Sequence, residues 1–265
     1  QRTRACKDDG CGHTEEMTLP ARGHYWDVGR VTTPPTETTA GVRTYTCRIY
    51  GCNATRTEEI PKLAPQVPVS ERFDDVDPNG WACEDIQYCV DHDLMNGIGN
   101  REFAPKMVMT RAQMVQVLYN IVGEPAVTGE TTFTDLTANW YQNAVLWAYQ
   151  TGVASGMSET TFAPDDPVTR EQVTVFLAEF ADRVLDKYTP YMWDALFPFQ
   201  DRESISYYAR TAMNWACNLG LIKGIPGPGG LRLEPQSYAT REQMAVILAQ
   251  FCRELNVWNE PIPEL

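Results

Sequence analysis

Three nine-residue segments of this 265-residue chain are one motif written three times: TRAQMVQVL (110–118), TREQVTVFL (169–177) and TREQMAVIL (240–248). No other feature constrains the fold as much, because a unit that recurs must pack against copies of itself. The copies share landmarks upstream as well. Phe-x-Asp recurs as Phe73 and Asp75, Phe133 and Asp135, and Phe199 and Asp201. An aromatic follows at Trp81, Trp140 and Tyr208, and sixteen residues after each stands Gly97, Gly156 or Gly224. Pro105, Pro164 and Pro235 each lie five residues before a motif threonine.

Within a copy, WYQNAVLWAYQTGVASG predicts a helix with apolar positions at Val145, Leu146, Ala148 and Tyr149, ended by Gly152 and Gly156. MSETTFAPDD then reads as a loop that folds back, and a second helix opens at Thr-Arg. Each helix-loop-helix copy holds about 55 residues, too few to bury its own apolar surface. The three copies are therefore expected to share a core around a pseudo-threefold axis. Residues 1–68 differ in kind: the alternating run VRTYTCRIYGC among Thr, Pro and Gly predicts short strands and turns. The expected fold class is mainly α with a small N-terminal β/turn-rich module. Its expected division is 1–68 for that module, 69–125, 126–190 and 191–256 for the copies, and 257–265 for a tail. CKDDGCGHTEEM (6–17) and CRIYGCNATRTEEI (47–60) resemble each other, which suggests a β repeat cut into at Gln1, and APQVPVSE (64–71) reads as the linker.

The net charge of −13 is unevenly placed. Residues 1–68 carry nine Lys and Arg against eight Asp and Glu, leaving 13 against 27 for the repeats. Such a field repels nucleic-acid phosphates and anionic lipid, so neither partner is expected. An acidic ligand would have to be held by local arginines, whose short charge-assisted hydrogen bonds outweigh a screened global repulsion. No run of eighteen apolar residues offers a membrane span, and QRTRACKDDG lacks the apolar stretch of a signal peptide. The expectation is a piece of a larger secreted polypeptide, or a chain whose signal has been removed.

Thr-Arg-x-Gln before an apolar helical run reads as a capping box formed by Thr110 and Gln113, Thr169 and Gln172, and Thr240 and Gln243. That box leaves Arg111, Arg170 and Arg241 unexplained, since a cation in the first turn opposes the helix macrodipole. An internal carboxylate, such as the Asp of Phe-x-Asp, or an external acidic ligand should lie near each. Phe73, Phe133 and Phe199 read as core. Trp81 and Trp140 read either as buried packing or as a flat platform for a sugar ring. Gly97 and Gly156 read as turn glycines, or as points where backbone approaches a ligand.

Phe-x-Asp, an aromatic, a glycine, Phe-x-Pro and Thr-Arg-x-Gln at this spacing resemble the S-layer homology module of Gram-positive surface proteins, over residues 73–253. The resemblance implies a three-pronged triplet at the cell surface that binds secondary cell-wall polysaccharide, often bearing a pyruvylated sugar, in grooves between prongs. It implies glycan contacts at Arg111, Arg170, Arg241, Trp81, Trp140, Asp75, Asp135, Gly97 and Gly156. The third copy departs, with Tyr208 for Trp, a lengthened GIPGPGGLRLEP loop and Leu233 where Phe103 and Phe162 stand elsewhere. Its groove is expected to be altered, which ranks Arg241 below Arg111 and Arg170. Residues 23–47 resemble, less specifically, Cys-containing repeats beside such anchors in Firmicutes.

Cys6, Cys11, Cys47 and Cys52 are compatible with two disulfides or a four-thiolate zinc site, and the sequence leaves both open. Cys217 and Cys252 are candidates to pair; Cys83 and Cys89 lie too far apart on a regular helix. No metal ligand is assigned and no cofactor is called for. His13, His24 and His92 stand in no nucleophile, HExxH or phosphate-loop pattern, so catalysis is not expected. A helical-repeat scaffold for protein partners is the competing function, and part of a glycan-active enzyme, which would need only two correctly spaced carboxylates, is the lesser alternative.

Overall fold

The computed structural model describes residues 2–5, 11, 14–17, 23–36, 38–62, 67–189 and 193–258. The chain divides into two compact units, Gln1–Gln66 and Val67–Leu265.

The first unit holds an antiparallel pair, β1 (Arg2–Ala5) with β2 (Thr14–Met17), and a three-stranded meander of β3 (Arg30–Thr33), β4 (Gly41–Thr46) and β5 (Thr55–Ile60). The two TEE segments that the sequence relates, at 14–16 and 57–59, fall largely in strands β2 and β5. Of the four cysteines left open by sequence, Cys6 lies outside the described residues, and Cys11, Cys47 and Cys52 are free thiols.

The second unit is helical. After the single turn α1 (Val69–Arg72) come α2 (Cys83–Asp91), α3 (Arg111–Ile121), α4 (Asn139–Thr151), α5 (Arg170–Arg183), α6 (Arg210–Asn218), the small hairpin β6 (Ile225–Gly227) and β7 (Gly230–Arg232), and α7 (Arg241–Glu254). The helix predicted from WYQNAVLWAYQT is α4, which buries Tyr141, Ala144, Val145, Trp147 and Ala148 at helical spacing. Gly152 terminates it in the left-handed conformation, with φ 74°. Gly156 lies beyond the helix end and serves packing. A Cβ there would meet Phe133 Cε1 at 2.4 Å and Ser158 O at 2.5 Å. Gly97 and Gly224 make the same allowance for the rings of Phe73 and Phe199.

The helices of one copy do not form its closest pair. α3 packs on α4, α5 on α6, and α7 returns to α2, so each copy's second helix lies against the first helix of the next, cyclically. Backbone hydrogen bonds close the ring at the residue before each motif threonine. Met109 N donates to Ala239 O (3.0 Å), Ala239 N to Val168 O (3.2 Å), and Val168 N to Met109 O (2.9 Å). One turn past the motifs, Ile121, Phe180 and Phe251 occupy equivalent buried positions, with the two phenylalanine rings 6.0 Å apart. This exchange also separates Cys217 from Cys252. Cys217 lies on α6, against α5, whereas Cys252 on α7 faces Cys89 on α2, and all three are free thiols.

Candidate functional site

All three capping boxes form. Thr110, Thr169 and Thr240 accept from the N–H of Gln113, Gln172 and Gln243, whose side chains accept from the threonine N–H groups in return. The next amides of each helix reach across to the following copy: Arg111 N to Asp166 O, Arg170 N to Ser237 O, and Arg241 N to Met107 O.

The arginine side chains follow the same path. Each is buried, and its partner is a backbone carbonyl of the next copy where the sequence suggested a carboxylate or a ligand. Arg111 donates from Nε to Phe162 O (2.9 Å) and from Nη2 to Ser155 O (3.0 Å). Arg241 donates to Phe103 O (2.8 Å) and Asn96 O (2.6 Å), and Arg170 to Leu233 O (2.8 Å). The guanidinium groups of Arg111 and Arg241 also lie 4.8 and 4.7 Å from the Phe162 and Phe103 ring centres.

The Phe-x-Asp carboxylates neither cap a helix nor bond the arginines. Asp135 accepts from Phe162 N and Ala163 N, Asp75 from Phe103 N and Ala104 N, and Asp201 from Leu233 N and Glu234 N. Ala163, Ala104 and Glu234 hold positive φ of 58°, 57° and 50°, a conformation costly for a residue with a Cβ and stabilised here by the paired amides on one carboxylate. One peptide group thus joins the two conserved charges of the repeat pattern: its N–H bonds the Asp and its C=O the Arg. Burial pulls the pKa of all three guanidinium groups down, and nearby acids pull it back, Asp166 and Asp135 for Arg111, Glu234 and Asp201 for Arg170, and Asp75 for Arg241.

Desolvation raises the Asp135 carboxyl, but the two amide bonds and the Arg111 charge outweigh it, so its pKa lies below the ordinary 3.8. Because the folded value is depressed, the stabilisation is fully present above 3.8 and is lost as pH falls through the lower folded value. Chemical denaturation from pH 7 to pH 2 should therefore show stability falling at the acid end, with a shallower fall for Asp135→Asn. Equal slopes for the two proteins would remove Asp135 from the account.

Two grooves open beside these turns. One, of about 510 Å³, is lined by Asp75, Trp81, Ile86, Pro105, Lys106 and Glu242. The other, of about 470 Å³, draws its wall from all three copies: Arg111 from the first, Gly156, Phe176 and Arg183 from the second, and Tyr208 from the third. The structure thus brings Arg111 to Gly156, Asp75 to Trp81, and Arg241 to the backbone beside Gly97. Arg170 and Trp140 line neither groove. Trp81 and Trp140 are 62% and 54% exposed, which corrects the packed-core reading. The exchange also reassigns the third copy's lengthened loop, which meets Arg170 through Leu233 and leaves Arg241 on the unaltered loop of the first copy.

Tyr208, read from sequence as a lost Trp, sits beside Arg111. Its hydroxyl donates to the buried Glu171 (2.8 Å), and burial together with that bond pushes its pKa up to about 12. Glu171 also accepts from Ser206 N (3.0 Å), so this second-copy motif residue holds the start of the third copy. The signal in the sequence was the motif's variable third position, which is Ala112, Glu171 or Glu242.

The sequence profile of the S-layer homology domain matches residues 72–115, 132–174 and 198–245, the three copies of the exchanged ring. The chain belongs to the S-layer homology domain family. A surface-layer 125 kDa protein of Lysinibacillus sphaericus is 26% identical over 77% of this chain and 17% of its own length. The exoglucanase XynX of Acetivibrio thermocellus is 29% identical over 68% of the chain and 16% of its own. An amylopullulanase of Thermoanaerobacterium thermosulfurigenes is 28% identical over 66% and 9%. The chain therefore spans less than a fifth of the length of these relatives, which are larger proteins. S-layer homology domains anchor surface proteins to the cell wall, and this tandem triplet is an extracellular, cell-surface module.

Proposed function

We propose that this S-layer homology triplet is a non-catalytic anchor, part of a larger secreted polypeptide, that holds an acidic, pyruvylated secondary cell-wall polysaccharide in its grooves. The observation that carries this is the groove in which Arg111, Arg183 and Tyr208 converge from three copies. Two of the five N–H donors of Arg111 are engaged by Phe162 O and Ser155 O, and Arg111 lines the groove beside Arg183 and Tyr208. A planar fork suits a pyruvyl carboxylate, and the exposed groove-lining rings of Trp81 and Tyr208 suit the apolar faces of sugars. The acids of these grooves already have partners, which supports a non-catalytic role: Asp75 holds two amides, Asp77 the Asn79 amide, Glu242 pairs with Lys106 and Glu179 with Arg183. No helix among the described residues is long and apolar enough to cross a membrane.

The exposed aromatics give the decisive test: Trp81 can be removed with little change in stability, whereas Tyr208→Ala also takes a hydrogen bond from the buried Glu171 and must be read beside its melting temperature. Trp81→Ala and Tyr208→Ala are each expected to weaken binding to purified wall polymer by roughly tenfold, the loss of about 1 to 2 kcal/mol of ring contact. Their melting temperatures check that the fold is kept. Parent-like binding by both variants, or equal binding to wall stripped of its acid-extractable polymer, sinks the proposal and favours a scaffold for protein partners.

A further inference from the structure

The connection between β4 and β5 carries both cysteines of CRIYGC and folds as a knuckle. Cys47 N donates to Ala54 O (2.9 Å) and Cys52 N to Ile49 O (2.9 Å), while Gly51 supplies the positive φ of 78° that the turn requires. The segment before β3 runs alongside. Trp26 forms a bridge with Cys47, Arg48 N donates to Tyr25 O (2.7 Å), and Asp27 accepts from Gly29 N and Thr46 N. These bonds bring His24, 23 residues upstream of Cys47, against the knuckle. Its Nδ1 lies 3.4 Å from Cys52 Sγ, and Nδ1 and the two sulfurs of Cys47 and Cys52 are all within 4.8 Å of one another.

We infer that His24, Cys47 and Cys52 form a binding site for a single thiophilic divalent cation, for which zinc is the natural occupant. Two thiolates and an imidazole are the donor set that zinc prefers. Tetrahedral geometry with Zn–S of about 2.3 Å and Zn–N of about 2.0 Å sets an S to N edge of roughly 3.6 Å, close to the separation already present. The surroundings suit coordination as well. The His24 ring is held 4.9 Å from that of Trp26, over which Arg56 lies. Cys47 is 6% exposed and Cys52 and His24 more open, so the cluster has an inner anchor and an outer face. Binding releases the two thiol protons, and because no further His, Cys, Asp or Glu among the described residues joins the three, the fourth position falls to water. Among the described residues Cys11 is not part of this group, so the proposed site of two thiolates and one imidazole differs from a four-thiolate arrangement.

The full chain, reduced and loaded with one equivalent of zinc, should retain one metal through desalting in native mass spectra. Cobalt in its place should give tetrahedral visible bands and thiolate-to-metal charge transfer. X-ray absorption of the zinc form should count two sulfur and two lighter ligands. His24→Ala and Cys52→Ser should lose the metal and the cobalt spectrum, while Cys11→Ser should keep both. Because a variant could fail through misfolding, the ligand count on the unaltered chain stands as an independent reading. A Cys47–Cys52 disulfide with no metal uptake after reduction overturns the site. So does a count of four sulfurs, or retention of metal by His24→Ala with its loss in Cys11→Ser.

Discussion

A chain ending at residue 190 is expected to lose its cooperative melting transition altogether. Such a truncation removes far more than one repeat, because the copies exchange helices. It strips α7 from α2 and α6 from α5, exposing buried faces on both remaining copies. Two of the three backbone bonds that close the ring, those through Ala239, disappear. Phe180 loses Phe251, and the Arg170 guanidinium, buried for want of water, loses Leu233 O. A domain of this size is stabilised by only about 5 to 15 kcal/mol, and losing several large buried side-chain contacts at about 3 to 5 kcal/mol each exceeds that. Calorimetry of the truncated and full chains decides the matter. An equally sharp transition at an equally high temperature in the truncated chain would mean that the copies do not share a core.

Arg241→Ala carries the second largest expected effect, a loss of about 2 to 5 kcal/mol, because Phe103 O is left buried without a donor, Asn96 O loses its partner and the packing of the buried side chain is lost. For a unit of roughly 200 residues this is a drop in melting temperature of about 5 to 15 °C. Arg111→Ala should behave alike, having two such bonds, whereas Arg170→Ala, with its bond to Leu233 O, should cost less. Arg241→Lys should recover part of the loss, since an ammonium reaches one carbonyl but lacks the fork that spans two. Replacing the exposed Arg210 should change stability by no more than about 0.5 kcal/mol. Thermal melts of the series test the order. If Arg241→Ala melts like the parent, the motif arginines are not structural and their conservation across the three copies belongs to the ligand alone. If the order holds, a binding defect in an Arg→Ala variant is ambiguous by itself, and the exposed aromatics carry the functional test.

Much of this molecule is legible in its residues. The triplet spacing, the three capping boxes and α4 with its Gly152 terminus follow from local rules of hydrogen bonding and helical periodicity that depend on near neighbours. The motif arginines stand out in the sequence as cations at the positive end of a helix dipole, which asks for an anion beside each. Tertiary structure decided who that partner is. Periodicity shows which face of a helix is apolar, but three copies with nearly equal faces offer the same cover, so one sequence pattern fits both a self-contained and an exchanged packing. Closure of the ring chooses the exchanged one. That choice sends Arg241 to the first copy's loop and Arg170 to the lengthened third, places Tyr208 beside Arg111, and separates Cys217 from Cys252. The same limit applies to His24, whose meeting with Cys47 and Cys52 depends on strand pairing across more than twenty residues. Local chemistry wrote the repeat, and the long-range hydrogen bonds and packing between copies determined which residues share a site.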